Sequence, residues 1–451
     1  MEIEKTKLQK LVVELGLKYD LPGLGVCLRR NNAEVYAAGY GIKDANTNSP
    51  VTADTMFGVA SVTKILTAIL IMQAQDKNLL DISDPVSKFF PNLICAGDQR
   101  MRIYHLLTHS AGFPGLPFRH FATPSNGPIE GELLLTADDL ISAINALNPV
   151  MQSNPGEQVN YSNESFCLLG GLIEKLYRCS YSDAANRFVF QPLRMTRSAV
   201  LGAPNNLKNF AYPLLQKEKL FKAANFWDAP LFYSAGGLIT SAPDMTKLIR
   251  VLTGDSTVLS AQAISDMISK QFTIASRPLN SSSYGLGVEI RKLERGRMLL
   301  WHTGQRPGIS SFVGLLLPEG LTVSFVTNIA DAPSELIGFR VLSEFSPLAA
   351  ELIGPNSWIE PNKSFQINAP ERFCGNYQSP EMGEHRVSLE QGELRLNLRE
   401  RSYNFCFLGP NSGIVAEQTF CFLTSERPIY PSYEPTALAL GLRILPKLAL
   451  N

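Results

Sequence analysis

The sequence predicts an α/β fold in which an antiparallel sheet is flanked by helices, a helical subdomain is inserted, and a small all-β barrel follows. Three patterns carry that expectation. Strand-like runs at 24–30 and 33–42 surround Asn31-Asn32, residues that tolerate positive φ and so mark a tight hairpin. Four β-rich runs at 284–291, 298–303, 310–317 and 321–328 are joined by short turns such as Pro318-Glu319-Gly320, as in an antiparallel meander. Beyond residue 370 apolar residues alternate, as in Leu394, Leu396 and Leu398 or Phe420 and Phe422, placing one face of successive short strands inward.

The elements follow in order. Residues 1–20 mix charges and leucines at helical spacing. A helix at 61–77 buries a broad side through Ile65, Leu66, Ile69, Leu70 and Met72. The text from 85 to about 181 is mainly helical, broken by loops at 112–117 and 124–128. A helix at 335–353 follows the meander and, with the N-terminal one, can cover a face of the sheet. Residues 355–370 hold three prolines and little periodicity, which reads as a linker. The expected organisation is 1–354, linker 355–370, and a barrel at 371–451, since about 80 residues of strands and turns suit a barrel better than a sandwich.

Composition narrows the function. The chain has 451 residues, enough for two or three domains, and is 45% hydrophobic and 18% charged, which excludes a disordered chain. Its 41 basic and 41 acidic residues give no net charge, so a nucleic-acid partner is not expected. The longest apolar run, 65–72, still contains Thr67 and is far short of a membrane span. No signal-peptide region opens the chain, so a cytoplasmic location is expected unless a leader has been trimmed. Seven scattered cysteines form no C-x-x-C pair and read as buried thiols, including Cys406 and Cys421 between phenylalanines. His105 and His109 have the i, i+4 spacing of metal ligands on a helix, but no third ligand accompanies them, so neither metal nor cofactor is expected. The oligomeric state is left open.

Three short motifs carry chemistry. In Ser61-Val62-Thr63-Lys64 the serine and lysine stack on one helix face, and a lysine whose pKa burial lowers can take a serine's proton. In Tyr161-Ser162-Asn163 the phenol and the amide, two residues apart, can enter one cleft. A phenol near a cation can share the base role, and an amide can hold a substrate or a neighbouring side chain. In His302-Thr303-Gly304, a glycine at a strand end admits a substrate backbone. The N–H groups of Gln305 and Ser61 can then meet an oxyanion. Arg306 is the nearest guanidinium to that strand end and suits a substrate carboxylate, whereas Arg291, Arg295 and Arg297 read as a solvated hairpin.

The order of these motifs, with Tyr-Ser-Asn roughly 100 residues after Ser-x-x-Lys and His-Thr-Gly about 140 further on, resembles the penicillin-recognising serine hydrolases. Tyr-Ser-Asn and His-Thr-Gly look like the class C β-lactamase and D,D-peptidase branch. Flanking text agrees over about 10–350: His-Leu-Leu-Thr-His-Ser-Ala-Gly at 105–112, Pro155-Gly156-Glu157, Gly236-Gly237-Leu238 and Asp244-Met245. The resemblance implies a β-lactamase/transpeptidase-like domain with Ser61 as the acylated nucleophile. It implies that Lys64 and Tyr161 share proton transfer, that Asn163 holds substrate, and that the strand ending at His302, Thr303, Gly304 and Gln305 binds the acyl group; His302 is expected to join Ser61, Lys64 and Tyr161 among the catalytic residues. The tail, with Phe373-x-Gly375-x-Tyr377 at its entry, resembles the lipocalin-like barrel appended to some such enzymes. The expected substrate is a small molecule or peptide. A D-stereospecific peptidase or amidase leads, with an esterase, an acyl or peptidyl transferase (a peptide-cyclising thioesterase included) and a β-lactamase as alternatives. A binding relic of the fold is the non-enzyme reading.

Overall fold

The computed structural model describes residues 2–30, 33–96, 100–113, 134–147, 151, 153–200, 207, 209–217, 220–223, 229–274, 282–330, 332–352, 367, 369–379, 383–398, 401–407, 412–415, 418–423, 437–440 and 443–446. Five of the helices pack on the sheet or on one another: α1 (Glu2–Lys18), α2 (Thr63–Asp76), α3 (Asn163–Tyr177), α4 (Ala242–Ile249) and α5 (Ser334–Phe345). Among the described residues, nine strands form the main sheet. They are β1 (Gly23–Arg30), β2 (Ala33–Asp44), β3 (Ser49–Pro50), β4 (Phe272–Thr273), β5 (Ser282–Tyr284), β6 (Glu289–Lys292), β7 (Met298–Arg306), β8 (Ile309–Leu317) and β9 (Leu321–Thr327). Their spatial order is β3-β2-β1-β9-β8-β7-β6-β5-β4, antiparallel throughout. The N-terminal hairpin therefore docks on the last meander strand, in a register from Leu24 opposite Thr327 to Arg30 opposite Leu321.

Alternation assigns the two faces. Leu24, Val26, Leu28, Trp301, Phe312, Val323 and Phe325 pack with Leu8, Leu11, Val12 and Leu15 of α1 and with Ile337, Val341 and Leu342 of α5. Cys27, Leu300, Val313, Leu315 and Val326 face the larger core built around α2. That helix is buried all round from Thr63 to Ala74, so it runs through the core instead of lying amphipathically upon it.

Several expectations are corrected. The strand expected at 284–291 is two strands, β5 and β6, because the chain turns between them to press on α2. A Cβ at Gly287, whose φ is +76°, would lie 2.6 Å from the Ala68 Cβ and 3.0 Å from the Lys64 carbonyl oxygen. The helix expected to run to 353 stops at Phe345, where Pro347 cannot continue the ladder, and a 3₁₀ segment Pro347–Leu352 follows. A small sheet of Met56–Gly58, Leu238–Ser241 and Ser198–Val200 was not foreseen, although it delivers the chain to Ser61. The turn at Asn31-Asn32, the loop at 124–128, most of 112–117, nearly all of the linker and the side chains of Cys406 and Cys421 lie outside the described residues.

The tail is all-β but is not a closed barrel among the described residues. Gly375–Ser379, Gly383–Glu390, Glu393–Leu398 and Arg401–Asn404 form one antiparallel sheet, and five short strands from Cys406–Phe407 to Arg443–Pro446 form another. Closure needs an unbroken ladder from the first strand to the last. Here the Phe405 N–H, donated to the Leu394 carbonyl, adds a last rung to the first sheet, and among the described residues no pairing joins Arg401–Asn404 to Cys406–Phe407. The two sheets share one small core of Phe373, Tyr377, Val387, Leu394, Leu396, Leu438 and Leu445.

Candidate active site

Ser61 sits at a bend, not inside a regular helix. The strand Met56–Gly58 pairs with Leu238–Ser241, the Val59 N–H donates to the Leu238 carbonyl at 3.0 Å, and a 3₁₀ turn Ala60–Val62 leads into α2. Ala60 takes a φ of +45°, an unfavourable region for a residue with a Cβ. Thr63 fixes the bend: its hydroxyl donates to the Ala60 carbonyl at 2.6 Å and accepts the Leu238 N–H at 3.0 Å.

In the first turn of the helix, Lys64 is fully buried. Its Nζ lies 3.2 Å from Ser61 Oγ, 2.9 Å from Asn163 Oδ1 and 2.9 Å from the Ala235 carbonyl oxygen. Three N–H donors of an ammonium thus meet three acceptors. The Tyr161 ring centroid lies 4.7 Å from Nζ and that of Phe166 lies 5.4 Å away, so aromatic faces complete the enclosure. Tyr161 is itself buried and stacks on His109 at 4.1 Å. Asn163 starts α3, and Ser162 caps that helix by accepting the Ser165 N–H at 3.1 Å. The segment before it is pinned: the Ser162 N–H donates to His109 Nδ1 at 3.1 Å, and the Asn160 amide donates to the Phe113 carbonyl at 2.6 Å.

The opposite wall is β7. It pairs with β8 along its whole length, whereas β6 accompanies it only from Met298 to Trp301. Gly304 is pressed against the serine bend: a Cβ there would lie 2.0 Å from the Val59 carbonyl oxygen and 3.0 Å from the Ser61 nitrogen. Thr303 is half-buried, Gln305 is exposed, and Arg306 is half-buried with Nη1 3.5 Å from the Gly236 carbonyl oxygen. His302 points into the core. Tyr284 donates its hydroxyl to Nε2 at 2.6 Å, and Nδ1–H donates to the Thr303 carbonyl, an assignment of the proton that follows from this network. Burial, then the nearby Lys64 charge, lower the His302 pKa to about 3 against the opposing Thr303 bond, so the ring is neutral.

A family model described as Beta-lactamase matches residues 8–342. The chain belongs to the beta-lactamase family. Membership places it in the superfamily that its three motifs resemble. "Protein flp" of Staphylococcus aureus (strain N315) is 23% identical over 324 residues, covering 69% of this chain and 60% of that protein. The chain thus spans about 60% of the length of such curated relatives. Among solved structures, SurE superposes with a TM-score of 0.74 at 21% identity, covering 99% of this chain and 100% of the other. A D-amino acid amidase from Ochrobactrum anthropi SV3, complexed with L-phenylalanine amide, superposes with a TM-score of 0.60 at 20% identity, covering 71% of this chain and 90% of the other. These similarities show a shared beta-lactamase-like fold.

The fold brings Ser61, Lys64, Tyr161 and Asn163 together and sets Gly304 against them. It holds His302 behind the strand, bonded at both ring nitrogens. His105 and His109 do not share a helix face, since the helix ends at Leu107 and His109 has a φ of +56°. Each instead accepts a backbone N–H at Nδ1, from Arg102 and Ser162 respectively. Among the described residues no group of three or more potential ligands could hold a metal, and no helix is long and apolar enough to cross a membrane. Sequence reasoning missed Ala235, whose contribution is a carbonyl, and Thr67, whose hydroxyl donates to the neighbouring Ser234 carbonyl at 2.6 Å. A backbone acceptor leaves no residue-type signal. The only hint was the landmark Gly236-Gly237-Leu238 immediately beyond it.

Proposed function

We propose that this chain is a serine hydrolase that forms an acyl-enzyme on Ser61, and that its substrates are D-configured peptides or amides. The observation that carries the reading is the buried Lys64 ammonium, held within 3.2 Å of Ser61 Oγ by the Asn163 amide and the Ala235 carbonyl and faced by the Tyr161 ring. A cation so enclosed lowers the cost of a phenolate at Tyr161, and the Lys64–Tyr161 unit takes the Ser61 proton. Ser61 Oγ then bonds to the substrate carbonyl carbon, and the oxyanion faces the N–H groups of Ser61 and Gln305. As the C–N bond breaks, the same unit returns the proton to the leaving amine. Water attacks the ester by the reverse sequence and frees Ser61.

His302 acts here as a positioning residue, since a neutral ring bonded at both nitrogens keeps β7 fixed beside the serine bend. Asn163, with its acceptor committed to Lys64, offers its N–H donors to the substrate. The D-configured substrate class is supported by similar folds: SurE solved with D-Leu, and an enzyme named a D-amino acid amidase, itself solved with both D- and L-phenylalanine. The test is intact-mass spectrometry after exposure to a fluorophosphonate or a slow β-lactam, followed by turnover of paired D- and L-amino acid amides. One adduct on the Ser61 peptide and preference for the D series are expected. An adduct elsewhere, or undiminished turnover by Ser61→Ala, overturns the nucleophile, and preference for L-amides or simple esters overturns the substrate class.

A further inference from the structure

We infer that Ser311 is a positioning residue that ties the serine bend to the strand wall and so sets the gap between the Ser61 and Gln305 N–H groups that face the oxyanion. The inference deepens the reading that Ser61 is acylated, and rests on it. Ser311 lies on β8 directly opposite Gly304, so the two residues present the same face of the sheet. It is fully buried, and its hydroxyl donates to the Val59 carbonyl at 2.8 Å. Gly304 leaves the path open: a Cβ there would lie 2.5 Å from Ser311 Oγ, 2.0 Å from the Val59 carbonyl oxygen and 3.0 Å from the Ser61 nitrogen. The missing side chain makes room for one hydroxyl to cross from the sheet to the bend.

The tether acts where the backbone is strained. Ala60, at a φ of +45°, separates Val59 from Ser61, and such a conformation persists only where its surroundings over-determine it. The peptide groups on either side of the Ala60 Cα are held by hydroxyls from opposite walls: the Val59 carbonyl by Ser311, and the Ala60 carbonyl by Thr63 at 2.6 Å. The Ala60 carbonyl and the Ser61 N–H belong to one planar group, so the direction of that N–H follows from how the bend is pinned. Without Ser311, the Val59 carbonyl keeps, among the described residues, only the 3.3 Å bond from the Val62 N–H. Ala60 can then relax and carry the Ser61 N–H with it. Ser310, the preceding residue, faces the other way and donates to the Ile329 carbonyl at 2.9 Å. It is equally buried and so supplies a matched control away from the bend.

Ser311→Ala should lower kcat and kcat/KM together by about tenfold and leave the pH limbs in place, a smaller loss than the roughly 10²–10³-fold of deleting an oxyanion donor. A boronic acid reads the same gap without turnover. Ser61 Oγ adds to boron, and the tetrahedral anion places an oxygen where the oxyanion would sit, so its Kd should rise by about the same factor. Ser310→Ala should leave these values at wild type. A third readout needs no chemistry at Ser61. Labelling with [1-¹³C]alanine and [¹⁵N]serine selects two peptide signals, because Ala-Ser occurs in the chain only at 60–61 and 275–276, and Ser276→Ala assigns them. The Ser61 amide should shift in Ser311→Ala and stay in place in Ser310→Ala even if Ser61 proves not to be acylated, so failure of the tether and failure of the acylation reading separate. If Ser311→Ala does not fold, Ser311→Cys, a weaker donor, should give smaller changes in the same direction. An amide signal and a boronate Kd that match the Ser310→Ala control would reduce Ser311 to packing and overturn the inference. Failure of both Ser311 variants to fold would overturn it too, by making the hydroxyl a requirement of the fold and not of the gap.

Discussion

The two walls of the cleft are built on opposite terms. On the helical side, Lys64 is fully buried, its hydrogen bonds reach Ser61, Asn163 and Ala235, and α2 lies in the core along nearly its whole length. On the strand side, burial decays toward the cleft, from Trp301 and His302 in the core to Thr303 half-buried and Gln305 exposed. A dry, mutually satisfied cluster cannot adjust without leaving a polar group unpaired, which costs about 1–3 kcal/mol for each neutral group and more for a charge. An exposed strand end can change side chains at little cost. If Ser61 is acylated as proposed, the helical wall fixes the chemistry, and the strand wall is where one acyl group is told from another.

The sharpest way to break that division is to remove the proton-transfer pair. Lys64→Met and Tyr161→Phe should each lower kcat by about 10²–10⁴-fold with little change in KM, the range for general acid–base groups. On the proposed mechanism the double variant should lose far less than the product of the two, since both residues then belong to one proton-transfer unit. Steady-state kinetics of the three variants check this. Additive small losses would point to a different base.

Next in size is the place where the walls touch. Gly304→Ala puts a methyl against the Val59 carbonyl and the Ser61 nitrogen, both backbone atoms that a rotamer change cannot clear. Either β7 or the serine bend must retreat, and a shift of about 1 Å at a reacting group can cost about 10²-fold. Acylation measured by burst kinetics should fall by about that factor while the far-UV spectrum is unchanged.

What was legible in the sequence divides along the same lines. Ser61, Lys64, Tyr161, Asn163 and Gly304 could be singled out because each contributes a side chain, or the lack of one, at a telling spacing. The sheet was readable from the β-rich runs and short turns of β1, β8 and β9, whose one face packs on α1 and α5 and the other on the core around α2. The split between β5 and β6 was not, because the cause is a long-range contact of Gly287 with Ala68 that no local pattern encodes. The Ala235 carbonyl was invisible for the same kind of reason. In the tail, alternation announced strands correctly but could not decide whether their ladder closes, which depends on which strands pair with which.

A smaller effect is expected at the open end of the strand wall. If Arg306 binds a substrate carboxylate, Arg306→Ala should raise KM for free-acid peptides about tenfold and leave peptide amides and neutral esters nearly unchanged. Michaelis constants on matched acid and amide substrates check it. Equal changes for both would mean that the guanidinium only braces the Gly236 carbonyl, and would favour substrates with a blocked or ester-linked terminus.

The smallest effect at neutral pH concerns His302, which links the walls from behind. With its folded pKa lowered to about 3 and an ordinary value near 6.5, the ring stays neutral throughout the working range, so the rate profile should show no histidine limb near pH 6.5. The same shift governs stability, with a definite sign. A group that resists protonation in the fold but accepts it when unfolded contributes fully above about pH 6.5, and its contribution drains away as the pH falls toward about 3. His105, lowered to about 4 first by burial and then by Arg102 and Lys270, acts in the same direction. Each can add at most about 1.4 kcal/mol of destabilisation per pH unit within its window. Denaturation midpoints at pH 7.5, 5.5 and 4.5 should therefore decline, and His302→Gln should flatten the decline while lowering the midpoint at pH 7.5. A slope unchanged by that substitution, or a wild-type rate that titrates near 6.5, would mean that the ring is reached by protons in the folded protein. The strand wall would then hold a working acid–base group, and the division between the two walls would fall.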